Sequence, residues 1–296
     1  MAALNYAELY TRALKQRFTV GLRFVDLYNA PANATLRWTN ANTVQIPRID
    51  VNGMTDYNRD VIGGFTRNVD NSWETKTLTH DRQWKTLIDP MDIDETNLSV
   101  SIANFTSVFN DEQKIPEMDK FMASKLHAEF TGYGGVPVTT GLTTANILSI
   151  FDDMMEQMDE AEVPQDGRLL YVTPTIHKLL KQADQIQRQM MVTANNEQVS
   201  RAVRTLEEVR IIVVPSDRMK TAYDFTIGAV PAAGAEQINM ILIHPQALVS
   251  PQKYAIASLD SPSAVTDLKY LWNERSYWDV FLFERRVPGV KMHVTP

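Results

Sequence analysis

Residues 116–130 read PEMDKFMASKLHAEF, and the rest of the chain can be placed around them. The spacing predicts one helix. Pro116 suits a first helical position, where its missing N–H costs nothing. Glu117 and Asp119 fall in the first turn, where the helix dipole favours negative charge. Met118, Phe121, Met122 and Leu126 recur at helical spacing and give one apolar face. Gly132, Gly134 and Gly135 mark the stop. Just upstream, 89–115 reads DPMDIDETNLSVSIANFTSVFNDEQKI, an acidic turn leading into a second helical segment.

Downstream, TGYGGVPVTTG (131–141) reads as a hinge. Thr144 can cap the next helix, whose stripe is Ile147, Leu148, Phe151, Met154, Met155 and Met158. A turn at 164–167, a buried-type strand at 168–173 and a helix from Pro174 to Ala183 follow. Further strands are expected at 209–214 and 238–244, so 136–261 reads as an inserted α/β unit. The end, 262–296, carries Tyr270, Leu271, Trp272 and the run YWDVFLF (277–283), too apolar to be loose. It is expected to return as strands to the domain of the 116–130 helix.

Upstream, residues 5–18 read as an amphipathic helix, and Leu22 to Tyr28 as a short apolar segment ended by Ala30-Pro31. Residues 36–88 are the oddest part. Thr43 to Asp50 alternates apolar and polar, with Pro47 pointing to an edge strand, and Trp73 to His80 alternates again. Between them lies a polar stretch holding Gly53 and Gly63-Gly64. The expectation is a long two-stranded arm with a loose tip. Ordering a residue costs about 1–2 kcal/mol in backbone entropy. So polar an arm cannot offset that with its own side chains, and needs another surface.

The chain has 296 residues and a formal net charge of -7, which argues against a protein built to grip phosphates. There is no cysteine, so disulfides and thiol catalysis are excluded. No run approaches the ~18 apolar residues of a membrane span. The 5 histidines, at 80, 127, 177, 244 and 293, show no metal-ligand spacing. Asp89, Asp92, Asp94 and Glu95 lack the glycine of a calcium loop. Gly132 to Gly135 follows a helix without a Lys-Ser/Thr after it, so it is no phosphate loop, and no G-x-S-x-G elbow is present. No catalytic residue, metal ligand or cofactor is expected.

The order of parts resembles one family. An acidic MD-x-DET turn, a helix, then PE-x-D-K-F opening a long helix is similar to the spine-helix region of tailed-phage major capsid proteins with the Hong Kong ninety-seven phage fold. GMTDY and W-x-T-x-x-L-x-x-DR resemble its extended loop, and DGRLLYVTP with VRIIVVPSDRM its apical domain. The resemblance implies an α+β chain: N-terminal arm 1–35, extended loop 36–88, peripheral domain 89–135 and 262–296, and apical domain 136–261. Tyr57, Arg59, Phe65, Arg67 and Trp73 are the implied intersubunit residues. The implied function is an icosahedral shell of hexamers and pentamers, assembled in the host bacterial cytoplasm. It would enclose double-stranded DNA without binding it specifically, alongside a portal. The chain starts at Met1 almost directly with the arm, which implies a separate scaffolding protein. The alternatives are an encapsulin-type nanocompartment shell and, from another class, a soluble α/β enzyme with a mobile lid at 50–72.

Overall fold

The computed structural model describes residues 20–40, 42–54, 56, 67–91, 102–183, 192–193, 198–199 and 204–295. The expected helix at 5–18 and the acidic turn from Asp92 onward lie outside these residues. In chain order, a short helix α1 (Val25–Tyr28) leads to β1 (Arg37–Trp38), β2 (Thr43–Val51), β3 (Val69–Thr77) and β4 (His80–Ile88). Then come α2 (Ile102–Phe109), α3 (Ile115–Gly132), α4 (Ile147–Asp159), β5 (Leu169–Val172) and α5 (Pro174–Gln182). Short strands β6 (Val192–Thr193), β7 (Gln198–Val199) and β8 (Thr205–Leu206) precede β9 (Val209–Val213), β10 (Tyr223–Asp224) and β11 (Val230–Pro231). The chain closes with β12 (Gln237–Ile243), β13 (Leu248–Val249), β14 (Gln252–Asp260), β15 (Tyr270–Trp278), β16 (Phe281–Leu282) and β17 (Val290–Thr295).

The helix at 116–130 is present, but Pro116 does not open it. A π-helical turn, Asn110–Lys114, joins α2 to α3, with helical backbone angles on both sides. The Ile115 amide reaches back to the Asn110 carbonyl. Pro116 can neither donate to the 112 carbonyl nor tolerate it close by. A widened turn just before it moves that carbonyl aside, so the rod continues. The stop is where the glycines put it. Gly135 N–H donates to Phe130 O at 2.9 Å and Gly134 N–H to Thr131 O at 3.0 Å, a Schellman closure. Gly134 has φ +81°, and a Cβ on Gly135 would sit 2.5 Å from the Phe130 ring.

One core gathers around α3. Met122 and Leu126 are fully buried, Phe121 nearly so, and Met118 packs on the cluster from a half-buried position. Phe24, Leu27, Trp278, Leu282 and Val290 complete it from distant parts of the chain. A second core lies between α4, α5 and a 5-stranded sheet of order β17-β12-β5-β9-β8. Two strands cross the expected boundaries. β17, from the C-terminal segment, pairs antiparallel with β12 and so completes the sheet of the inserted unit. Its buried Val290, Met292 and Val294 alternate with partners on β12, which gives the pairing its physical cause. β4 leaves the arm to pair with β15 in a 3-stranded sheet of order β14-β15-β4. The expected strand at 73–80 is therefore the end of β3 and the start of β4, parted at Leu78 and Thr79.

Candidate interaction surface

The arm is the hairpin β2–β3, paired without a break from Thr43↔Thr77 to Val51↔Val69. Its two halves differ. In the near half Val44 and Ile46 are buried against Val249, Tyr277 and Phe281. The sequence reading expected no such cover from within the subunit; it comes from strands two hundred residues downstream, roughly, which no local pattern signals. In the far half Ile49, Val51 and Val69 are exposed, at 62%, 70% and 46%. An apolar hairpin end in that state has unpartnered area of the kind that marks interaction sites.

Three polar clusters set the direction in which the arm leaves the body. At its root Asp279 is fully buried, and its Oδ2 accepts from the Thr79 amide at 2.8 Å and hydroxyl at 3.0 Å. Its Oδ1 accepts from the Val280 amide at 2.8 Å, and Lys125 of α3 lies 3.7 Å away. On β3, Lys76 lies 2.8 Å from Glu74 and donates to the Tyr133 hydroxyl at the end of α3. On β2, Asp50 joins Arg48 and Arg285, and Arg48 reaches Glu284 at 3.2 Å. These four charges alternate in sign and are more than a third exposed, so they steer more than they stabilise.

The rod itself is tied to both neighbours. Asp119 is fully buried, and its Oδ1 accepts from the Arg23 and Phe24 amides at 3.0 and 3.1 Å. Its Oδ2 accepts from Arg218 at 2.8 Å. Asp119 thus clamps the N-terminal segment and the inserted unit onto α3. Two residues earlier, Glu117 accepts from Arg82 of β4, which also reaches the Phe225 carbonyl. Burial raises the Glu117 carboxyl, but the His80 ring 3.5 Å away and the bonds from Arg82 outweigh it and hold it below the usual range. His80 stacks on Phe121 with ring centroids 3.9 Å apart.

Of the expected intersubunit residues, Trp73 stands opposite Pro47 in the hairpin, 43% exposed, with Arg37 5.6 Å from its ring centroid. Arg67 is at the far end, exposed, its Nε donating to Val69 O at 3.0 Å. Arg67 lies just before the start of β3 and Trp73 at its middle, six residues on along an extended chain, so the two do not form one cluster. Tyr57, Arg59 and Phe65 lie outside the described residues. The reading missed Asp119 and Asp279. Asp119 shares the helical stripe of Met122 and Leu126, and Asp279 interrupts the run YWDVFLF. A lone acid on an apolar stripe or in an apolar run is the signal that finds such groups.

Among the described residues, no group of three or more His, Asp or Glu side chains is placed to hold a metal ion. No helix among them is long and apolar enough to cross a membrane. The buried histidines serve structure. His293 Nε2 lies 2.6 Å from the Thr140 carbonyl and Nδ1 3.2 Å from the Asn239 amide nitrogen. His244 lies 3.0 Å from the Asp166 carbonyl.

No family model matches the chain, and no curated protein sequence matches it. Solved structures do. It is similar to a chain of the capsid of the cyanophage P-SCSP1u, 10% identical over 98% of this chain and 92% of that one, with a TM-score of 0.69. A chain from Mycobacterium phage Che8 is 15% identical over 97% and 96%, TM-score 0.66. A chain of the mature capsid of bacteriophage PhiM1 is 15% identical over 85% and 81%, TM-score 0.64.

Proposed function

We propose that this chain, which has the Hong Kong ninety-seven phage capsid fold, is the major shell protein of a tailed bacteriophage head. The observation that carries the reading is the span of the likeness. It covers 98% of this chain and 92% of its cyanophage counterpart, so it is not confined to one part of the chain. A fold shared in one domain alone would say little about use. Here the arm is included, an element that adds nothing to the cores of its own subunit beyond its root.

The work is geometric. Copies associate as hexamers and pentamers, and their arms add area between neighbours. Stable interfaces bury roughly 1,200–2,000 Å², and an exposed hairpin reaching out of the body is a direct way to supply it. No bond is made or broken, and no cofactor is required. The partners are further copies of the chain, a portal, a separate scaffolding protein and packaged double-stranded DNA. The place of action is the virion, after assembly in the host cytoplasm. With a net charge of -7, the shell does not hold its DNA by bulk attraction, which leaves the DNA free to be packed and released.

The test is the content of particles isolated from the chain's native source after nuclease treatment. Protected double-stranded DNA is the expected result. Particles that hold a folded enzyme and no DNA would contradict the phage reading and support a nanocompartment. A soluble monomer turning over a substrate would contradict both.

A further inference from the structure

The strand β14 is an edge left without protection. It pairs with β15 on one side, and among the described residues nothing pairs with the other. It runs for 9 residues, and every residue from Tyr254 to Asp260 is exposed. Tyr254, Ile256 and Leu259 are apolar and open at 38%, 58% and 43%. Natural sheets guard such edges with charge, proline or a bulge, because free N–H and C=O groups template pairing with another chain. The other long edges here are guarded. β2, which β1 covers only at Val44 and Gln45, has Pro47; β3 has Asp70, Glu74 and Lys76, and β4 has Asp81, Arg82 and Lys85. From Tyr254 to Leu259 the sequence YAIASL has no charge, no proline and no glycine. Its one irregularity lies at the root, between Gln252 and Tyr254.

We infer that β14 pairs antiparallel with β14 of a second copy across a two-fold axis, joining two 3-stranded sheets into one. The inference rests on the shell reading and names one of its contacts. The strand's charges choose the direction. Lys253 and Asp260 lie at opposite ends, so antiparallel pairing keeps the two copies' Lys253 apart and their Asp260 apart. Parallel pairing would set like beside like, which is destabilising. Side chains decide the register. A two-fold axis through the sheet keeps each face on its own side, so opposed residues must share a face. Centring the pair on Ile256 sets Ile256 against Ile256 and Tyr254 against Ser258 on one face. On the other, Ala255 stands against Ala257. No like charges oppose one another. Two short strands bury less than a stand-alone dimer needs, so the pairing belongs to the assembled state.

The absence of cysteine gives a clean probe. Directly opposed antiparallel residues have Cα atoms about 4.5–5.5 Å apart, within the reach of a disulfide. Single variants Ile256→Cys and Leu259→Cys are assembled into particles, oxidised mildly and run on a non-reducing gel. Ile256→Cys is expected to give covalent dimers, and Leu259→Cys, set about six residues from its twin, to stay monomeric. No dimer from Ile256→Cys particles, or equal dimer from both, overturns the pairing while leaving the shell intact. As a measurement free of substitution, amide exchange across 254–259 is expected to slow several-fold in particles relative to dissociated subunits. Unchanged exchange also overturns it. If the parent chain forms no particles, the shell reading falls and this contact with it.

Discussion

Asp119→Asn keeps the size and shape of the side chain but leaves Arg218, only 7% exposed, without its counter-charge. Removing one partner of a buried pair typically costs about 3–5 kcal/mol. Urea unfolding is expected to show a loss of about 3 kcal/mol or more; a loss under about 1 kcal/mol would mean that the clamp on the N-terminal segment is ornamental. His293 supplies a second test. Burial holds its imidazole below the ordinary value, with the bond to the Thr140 carbonyl pulling the other way. The unfolded chain, titrating near ~6.5, therefore takes up the proton first. This contribution to stability is complete above ~6.5 and is lost as pH falls through the lower folded value. The unfolding midpoint is expected to drop from pH 7 to pH 5.5, and to drop less in His293→Gln, which does not titrate there. Equal slopes in the two proteins would contradict the assignment. Glu117, depressed in the folded state, adds a further loss below ~4.3.

At the scale of elements, the rod and the arm make opposite demands. Phe121 stacks on His80 and lies edge-on to Trp278 at 6.3 Å, so Phe121→Ala opens a hole where α3, β4 and β15 meet. The expected cost is about 3–5 kcal/mol, seen as insoluble protein or a lowered melting point; unchanged melting would remove α3 from the centre of the core. The far half of the arm, by contrast, is expected to be dispensable to folding, since Ile49, Val51 and Val69 are exposed. Val51 faces Val69, and the next pair is hydrogen-bonded, Asn52 N–H donating to Asn68 O at 3.0 Å, so replacing 53–67 by Asn-Gly closes the hairpin in register with a favoured two-residue turn. Folded subunits that fail to close shells are expected. Intact shells would show that the tip clamps nothing, and loss of folded protein would place it in the subunit's own core. Both elements were legible in the sequence because each has a local period: 3.6 residues for the rod, 2 for the arm. Their joins were not. The π turn before Pro116 and the burial of Val44 and Ile46 depend on groups whose positions only the folded chain fixes.

At the scale of the whole molecule, connectivity was the hidden part. The run at 238–244 reads as a strand and 262–296 as strands returning to the domain of the 116–130 helix, but nothing in either segment names the other as its partner. The same holds for Asp119, whose partners lie about a hundred residues away on both sides. The reading of the whole nevertheless turns on one property, that the folded chain is an incomplete object with an arm and an open sheet edge awaiting copies of itself. The most direct test is the mass of the purified 33.6 kDa chain across a concentration series, by sedimentation with imaging of the same samples. The account predicts rings of five or six copies, or closed shells, at the higher concentrations. A single species at monomer mass throughout, with the arm intact, would contradict it.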